Sequence, residues 1–136
     1  MIDDSARYKD LRVLVIEDEA FARRIVSGLL RQIGFNFIDE ASDGEKGFRE
    51  TERYRPQLVL CDVHMPIDGL WYLSKLRGSN NKQIADTPVI FLTADQQQET
   101  VLSAKQLQID GYLVKPVSLQ TLRVRVDSVL KANGLI

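Results

Sequence analysis

The stretch Pro56–Leu70, PQLVLCDVHMPIDGL, ends an apolar run on a carboxylate. Residues 57–61 show no alternation of polar and apolar side chains, which is typical of a strand covered on both faces of a parallel sheet. Asp62 follows directly, and the turn-forming dipeptides Met-Pro and Asp-Gly come next. A buried strand with an acidic residue at its end and a turn behind it indicates a site at the carboxyl edge of a sheet.

Four other short apolar runs have the same character. They are Leu11–Ile16, Phe35–Ile38, Pro88–Leu92 and Tyr112–Val114. The runs begin roughly 20 to 30 residues apart and are separated by segments with helical periodicity, which is the spacing of βα units. We therefore predict an α/β fold of the flavodoxin-like, doubly wound kind. A five-stranded parallel sheet in the order 2-1-3-4-5 would form the middle of three αβα layers.

Two helices are predicted most strongly, one near each end of the chain. In Glu19–Gly34 apolar residues recur at four-residue steps and are expected to face the core: Phe21, Ile25, Leu29 and Ile33. The last helix begins after Ser118, a favourable N-cap. The fourth predicted helix, residues 96–108 (QQQETVLSAKQLQ), has few apolar side chains and is expected to be the least firmly docked.

The bulk composition sets limits on the class of protein. The 136 residues fit one domain, 1–136, with a core at about 11–131 and nothing left over for an output domain. Lys and Arg total 18 and Asp and Glu 19, so the net charge of −1 gives no reason to expect nucleic-acid or membrane binding. The lone cysteine, Cys61, excludes an internal disulfide, and no signal peptide begins the chain. We expect a cytoplasmic location.

Chemically active side chains follow several of the predicted strands. Glu17 and Asp18 follow the first strand, Asp62 the third, Thr93 the fourth and Lys115 the fifth. Carboxylates packed so closely repel one another unless a cation offsets their charge. An all-oxygen site favours Mg²⁺, with Mn²⁺ nearly as suitable. A carboxylate nucleophile beside a metal, a hydroxyl and an ammonium is typical of phosphoryl transfer through an aspartyl phosphate.

The same residues carry a family resemblance. VLVIEDE, LVLCDVHMPIDG, VIFLTA and GYLVKP, in this order, resemble the receiver domain of bacterial two-component response regulators and are similar to the stand-alone chemotaxis type. The resemblance covers about Leu11–Lys131. It implies a phosphorylation-controlled signalling switch, not a metabolic enzyme, with slow self-phosphorylation and self-dephosphorylation.

The resemblance also assigns a role to each site residue. Asp62 would accept the phosphoryl group from a histidine kinase or a histidine phosphotransfer protein. Asp18, Asp62 and the backbone carbonyl of His64 would bind Mg²⁺, and Glu17 would act through a metal-bound water. The phosphoryl-binding and switch residues would be Thr93, Ala94, Tyr112 and Lys115.

Further features are implied around the site. The Lys115–Pro116 peptide would be cis, and His64 and Asp95 would tune the lifetime of the phosphoryl group. Phosphorylation would remodel the face formed by helix 4, strand 5 and helix 5, through which the domain controls a downstream protein partner. The domain would be a monomer or a weak phosphorylation-dependent dimer.

Two positions depart from the family pattern. Glu17 stands where the family usually has aspartate, and its longer side chain is expected to preserve metal binding while altering the water shell. Only Ile67 separates Pro66 from Asp68, so the loop after the third strand is one residue short.

Three alternatives stay open at this point. The chain could be a receiver domain cut from a longer transcription factor or hybrid kinase. It could be a Mg²⁺-dependent phosphatase with an aspartyl-phosphate intermediate, although His64 occupies the position where such enzymes place a second acid. A flavin or nucleotide binder would need glycines where the first strand is followed by EDEAF.

Overall fold

Five parallel strands form a single sheet in the computed structural model, which describes residues 4–64, 68–94 and 103–136. The strand order is β2-β1-β3-β4-β5, so the predicted sheet and its order are confirmed. The strands are β1 Arg12–Ile16, β2 Phe37–Ala41, β3 Leu58–Asp62, β4 Val89–Thr93 and β5 Gly111–Val114.

Helices cover both faces of this sheet. A 3-10 turn at Asp4–Arg7 precedes α1 Ala20–Ile33, α2 Gly44–Tyr54, α3 Gly69–Arg77, α4 Lys82–Ala85 and α5 Leu119–Ala132. Residues 103–106 are also helical and are the described part of the fourth helix predicted at 96–108. One apolar cluster joins the sheet to α1 and α5, and a second joins it to α3. The three-layer arrangement is therefore confirmed.

Strand β2 begins later than predicted. Gly34 ends α1 with a φ of 133°, and Phe35 is buried against the ring of Tyr8 at a centroid distance of 5.2 Å, before the strand starts. Pairing with β1 runs from Phe37 to Ala41. The prediction of Phe35–Ile38 was wrong because β2 is a half-exposed edge strand, so polar residues belong to it and the apolar run stops early.

The apolar stripe predicted for α1 was also wrong at its N-terminal end. The structure buries Val26, Leu30 and Ile33, whereas Phe21 is 75% exposed and Ile25 is 47% exposed. Four-residue steps turn by about 40° more than one full helical turn, so a stripe built from them rotates off the buried face. The start of α1 consequently presents apolar side chains to solvent.

Arg77, in the last turn of α3, connects segments that are distant in the chain. Its guanidinium donates five hydrogen bonds of 2.7 to 3.0 Å, to the carbonyls of Ala85, Thr87, Leu107 and Gln108 and to a carboxylate oxygen of Asp110. The same oxygen of Asp110 accepts from the backbone amide of Val89, 2.8 Å away. This arginine therefore fixes the C-terminal end of the fourth-helix segment against the start of β4.

We expect Arg77→Ala to lower the free energy of unfolding by about 2–4 kcal/mol, because the carbonyls and Asp110 lose a shared charged donor. Urea unfolding followed by circular dichroism measures the change. Arg24→Ala is the matched control, since that side chain is exposed and makes no hydrogen bond among the described residues. Equal effects of the two substitutions would contradict the assigned role.

Candidate functional site

Three strand ends bring charged side chains together at the carboxyl edge of the sheet. Ile16 of β1 pairs with Cys61 of β3, so the residues that follow them, Glu17 and Asp62, are neighbours. The ammonium of Lys115, just beyond β5, lies 2.8 Å from Glu17 Oε2 and 2.6 Å from Asp62 Oδ2. The predicted convergence of these three side chains is therefore observed.

The two carboxylates are buried and well supplied with donors. Glu17 is 1% exposed and Asp62 is 6% exposed. Besides the lysine, the backbone amide of Glu19 donates to Glu17 Oε1 at 3.3 Å, and that of His64 donates to Asp62 Oδ1 at 2.9 Å. Each of the four carboxylate oxygens thus has a donor, which fixes the orientation of both groups.

The electrostatics show an excess of negative charge. Burial raises the pKa of Glu17 to about 7, assisted by the hydrogen bond and charge of Asp62 and opposed by Lys115. For Lys115, burial lowers the pKa, but the hydrogen bonds and charges of Asp62 and Glu17 outweigh it, so the pKa is raised overall. One ammonium does not fully offset the repulsion between two buried carboxylates, and the site favours additional positive charge.

Asp18 completes an acidic group that suits a metal ion. Glu17, Asp18 and Asp62 each offer a carboxylate oxygen, and these oxygens lie within 4.8 Å of one another. Asp18 is exposed while the other two are buried, so the group opens toward solvent on one side. Oxygen ligands with an open side fit Mg²⁺, which retains several waters.

The turn behind β3 depends on a glycine. The Gly69 amide donates to the Val63 carbonyl at 3.0 Å, and a Cβ at position 69 would lie 2.8 Å from the carbonyl oxygen of Asp62. The side chain of Asp68 caps α3 by accepting from the amide of Trp71 at 2.8 Å. The Asp-Gly pair therefore starts α3 directly against the strand that carries Asp62. The shortened loop between Pro66 and Asp68 falls on residues 65–67, outside the described residues.

The predicted switch residues lie at the end of β4 and on β5. Thr93 ends β4 and is buried, and its carbonyl accepts from the amide of Lys115 at 2.9 Å. Ala94 follows and is exposed. Tyr112 packs edge-on against Phe91, with ring centroids 5.9 Å apart. The predicted cis peptide between Lys115 and Pro116 is present, and Asp95 lies outside the described residues.

One contact of the site was not predicted from the sequence. Arg23, in the first turns of α1, donates from Nη1 to the carbonyl of Glu17 at 2.8 Å and from Nε to Glu40 at 3.1 Å. It supports the loop that carries Glu17 and Asp18. The signal in the sequence was a basic residue six positions after Glu17. This spacing does not show in which direction the side chain points.

The described helices include none that is both long enough and apolar enough to cross a membrane.

Comparison with known proteins identifies the family. The response regulator receiver domain model matches residues 13–127. Chemotaxis protein CheY-3 of Vibrio cholerae is 32% identical over 124 residues, which cover 90% of this chain and 94% of that protein. The probable transcriptional regulator ycf27 of Porphyridium aerugineum is 38% identical over 121 residues, which cover 88% of this chain and 48% of that protein.

A solved structure shows the same fold. The Vibrio cholerae chemotaxis protein CheY4 superposes with a TM-score of 0.81 at 28% identity, covering 88% of this chain and 98% of that chain. The family match runs from the first strand into the last helix. It therefore includes every strand that contributes a side chain to the site, and it favours a signalling switch over the phosphatase and flavin-binding alternatives. The chain belongs to the response regulator receiver domain family, whose members are phosphoryl-accepting signalling switches.

Proposed function

We propose that Asp62 accepts the phosphoryl group, in a Mg²⁺-dependent reaction, from a histidine kinase or a histidine phosphotransfer protein. The observation that carries this proposal is the Asp62 carboxylate, held at the end of β3 between the ammonium of Lys115 and the acidic pair Glu17 and Asp18. A nucleophile must be fixed in position and flanked by groups that offset the charge of the incoming phosphoryl group.

The transfer is a balanced displacement at phosphorus. A carboxylate oxygen of Asp62 forms a bond to phosphorus as the bond to the donor's imidazole nitrogen breaks, and the imidazole keeps that electron pair. Lys115 is close enough to neutralise phosphoryl oxygens after moving from Asp62, and the hydroxyl of Thr93 would donate a hydrogen bond. Water later cleaves the acyl phosphate, which releases inorganic phosphate and regenerates the carboxylate.

The metal would be held by Asp18, Asp62 and the backbone carbonyl of His64, with Glu17 acting through a water. The proximity of the three carboxylate oxygens supports this assignment. When bound, Mg²⁺ would supply the positive charge that the site favours and would offset the charge of the phosphoryl oxygens. The same donor set would accept Mn²⁺.

The reaction can be tested with a small acyl phosphate in place of the protein donor. In the presence of Mg²⁺, intact mass spectrometry should show one added phosphoryl group per chain. With a chelator in place of the metal, the mass should stay unchanged. Uptake that is equally fast in chelator would overturn the metal-dependent mechanism.

Exposed apolar side chains support an output surface formed in part by β5 and α5. Val114 of β5 is 44% exposed and Val124 of α5 is 64% exposed. These are two of the three elements of the predicted output face, and residues 103–106 are the described helical part of the third. We propose that Thr93, Ala94 and Tyr112 transmit phosphorylation to this face and that a downstream protein binds it.

A separate apolar groove supports docking of the phosphodonor protein. A cavity of about 410 Å³ lies between α1 and the segment that joins β5 to α5, and it is lined mainly by apolar side chains that include Ile25, Pro116 and Val117. Lys115 and Ala94 also line it, so a protein bound there would lie beside Asp62. This groove explains why α1 exposes Ile25.

We expect Ile25→Asp to slow phosphotransfer from a phosphorylated histidine phosphotransfer protein by at least about tenfold, because a charge in an apolar contact is costly to bury. The rate with a small acyl phosphate should stay unchanged, since that donor needs no docking surface. Phe37→Asp adds the same charge to an apolar position of similar exposure at the start of β2, away from the groove, and should leave both rates intact. Equal slowing with both donors would contradict a docking role.

A further inference from the structure

A second cavity, of about 550 Å³, lies between the end of β2 and the outer face of α2. Its lining includes four cationic side chains, Arg23, Lys46, Arg49 and Arg53, and two carboxylates, Glu40 and Glu50. The volume falls within the range of small-molecule sites. Of the lining residues, Arg23 also contacts the proposed phosphoacceptor site, through the carbonyl of Glu17, and the cations of α2 do not contribute to that site.

The two carboxylates of the lining offset only half of its four positive charges. Glu40 is already engaged, because its two oxygens accept from Arg23 at 3.1 Å and from the hydroxyl of Ser27 at 2.7 Å. Only Glu50 then opposes Lys46, Arg49 and Arg53. The cavity therefore carries an excess of positive charge.

The three cations of α2 make few contacts of their own. The Lys46 ammonium lies 3.2 Å from the hydroxyl of Ser42, and the Arg53 guanidinium lies 5.1 Å from the centre of the Tyr54 ring. Within the described ranges, none of Lys46, Arg49 and Arg53 forms an ion pair with a carboxylate.

Their spacing places the three cations along one face of α2. Residues 46, 49 and 53 follow one another at steps of three and four, and Glu50 lies among them on the same face. Seven residues of helix separate the first cation from the last by about 10 Å. A ligand with two or more negative charges distributed along that length would pair with all three.

The two arginines indicate the chemistry of the anion. Guanidinium groups bind phosphate oxygens bidentately, whereas an ammonium binds as a point charge. We propose that this cavity binds a compound with linked phosphate groups, either inorganic polyphosphate or the phosphate chain of a nucleotide. The site is independent of phosphorylation at Asp62, so it can exist whether or not the proposed function is right.

Isothermal titration calorimetry of the full chain tests the proposal, with metal-free buffer and with inorganic tripolyphosphate, ATP, AMP and orthophosphate as separate ligands. Tripolyphosphate or ATP should bind at least about tenfold more tightly than orthophosphate, and the tighter of the two identifies the source of the phosphate chain. The proposal would be overturned if neither tripolyphosphate nor ATP bound.

Variants locate the binding. The double variant Arg49→Ala, Arg53→Ala should weaken binding at least about tenfold. The control Arg31→Ala, Lys131→Ala removes the same charge from exposed positions elsewhere and should leave the affinity unchanged. Urea unfolding should show that both double variants remain folded. Unaltered affinity of the Arg49→Ala, Arg53→Ala variant would contradict a site for linked phosphates. Binding of a poly-glutamate peptide as tight as that of tripolyphosphate or ATP would contradict it as well.

Discussion

Asp62→Asn should abolish phosphoryl uptake from an acyl phosphate, whereas the unmodified chain gains one group. The amide has nearly the same shape as the carboxylate, and its single oxygen can accept either from the His64 amide, which now binds Oδ1, or from Lys115, which now binds Oδ2. It lacks the anionic oxygen that attacks phosphorus. Intact mass spectrometry in the presence of Mg²⁺ measures the loss.

A matched control separates the nucleophile from general charge effects. Asp86→Asn makes the same chemical change at an exposed position after α4 and should leave uptake unchanged. The Asp62→Asn protein should also remain folded, because one of two mutually repelling carboxylates has been removed. Full labelling of that variant would place the phosphoryl group elsewhere.

Lys115→Ala should slow phosphoryl uptake by roughly 10²- to 10³-fold at saturating Mg²⁺, the loss typical of removing one preorganised charge-stabilising donor. This ammonium contacts both Glu17 and Asp62 in the structure, and no other cationic group lies within ion-pair distance of these carboxylates among the described residues. Without this ammonium, only the metal would offset the repulsion between the two carboxylates and the charge of the transferring phosphoryl group. The initial rate of labelling, followed by mass spectrometry, measures the change.

The choice of replacement adds information. Lys115→Arg keeps the charge but replaces a compact ammonium with a planar fork, so it should restore the rate only in part. Lys131→Ala, which removes a lysine from the exposed side of α5, serves as the control. Rates for Lys115→Ala within about twofold of the unmodified chain would contradict the assigned role of this residue.

The raised pKa of Glu17 gives a physical reason for metal dependence. Burial and Asp62 together bring the pKa of this carboxyl to about 7, even with the ammonium of Lys115 at 2.8 Å. The acyl phosphate would carry about 1.5 to 2 negative charges at neutral pH, in place of the single charge of the Asp62 carboxylate. This excess of negative charge supports the proposed metal dependence, and the benefit of a divalent cation should be greater after phosphorylation than before it.

Parallel-sheet topology explains why the centre of the site could be predicted from the sequence. Apolar runs located the strands, and the carboxyl ends of β1, β3 and β5 meet at one edge, so Glu17, Asp62 and Lys115 had to approach one another. The helical face of α1 was predicted less well. Its exposed residues Phe21 and Ile25 fit a four-residue repeat, although a helix turns every 3.6 residues.

Contacts that depend on side-chain direction were outside the reach of sequence patterns. Arg77 collects acceptors spread from Ala85 to Asp110, and no local spacing connects them. Arg23 reaches the Glu17 carbonyl only because α1 lies at a particular angle to β1. The basic cavity on α2 could not be predicted either, because the sequence does not show which face of this helix β2 leaves open. These features emerge from packing, which brings distant segments together.

The position of the phosphoryl group is the most direct test of Asp62 as the phosphoacceptor. After labelling with an acyl phosphate and Mg²⁺, borohydride reduction converts an aspartyl phosphate to homoserine, and peptide mass spectrometry then locates the modified residue. We expect homoserine at position 62 alone. Modification at Glu17, Asp18 or His64 instead, or no modification at position 62 in a protein that has gained a phosphoryl group, would contradict it.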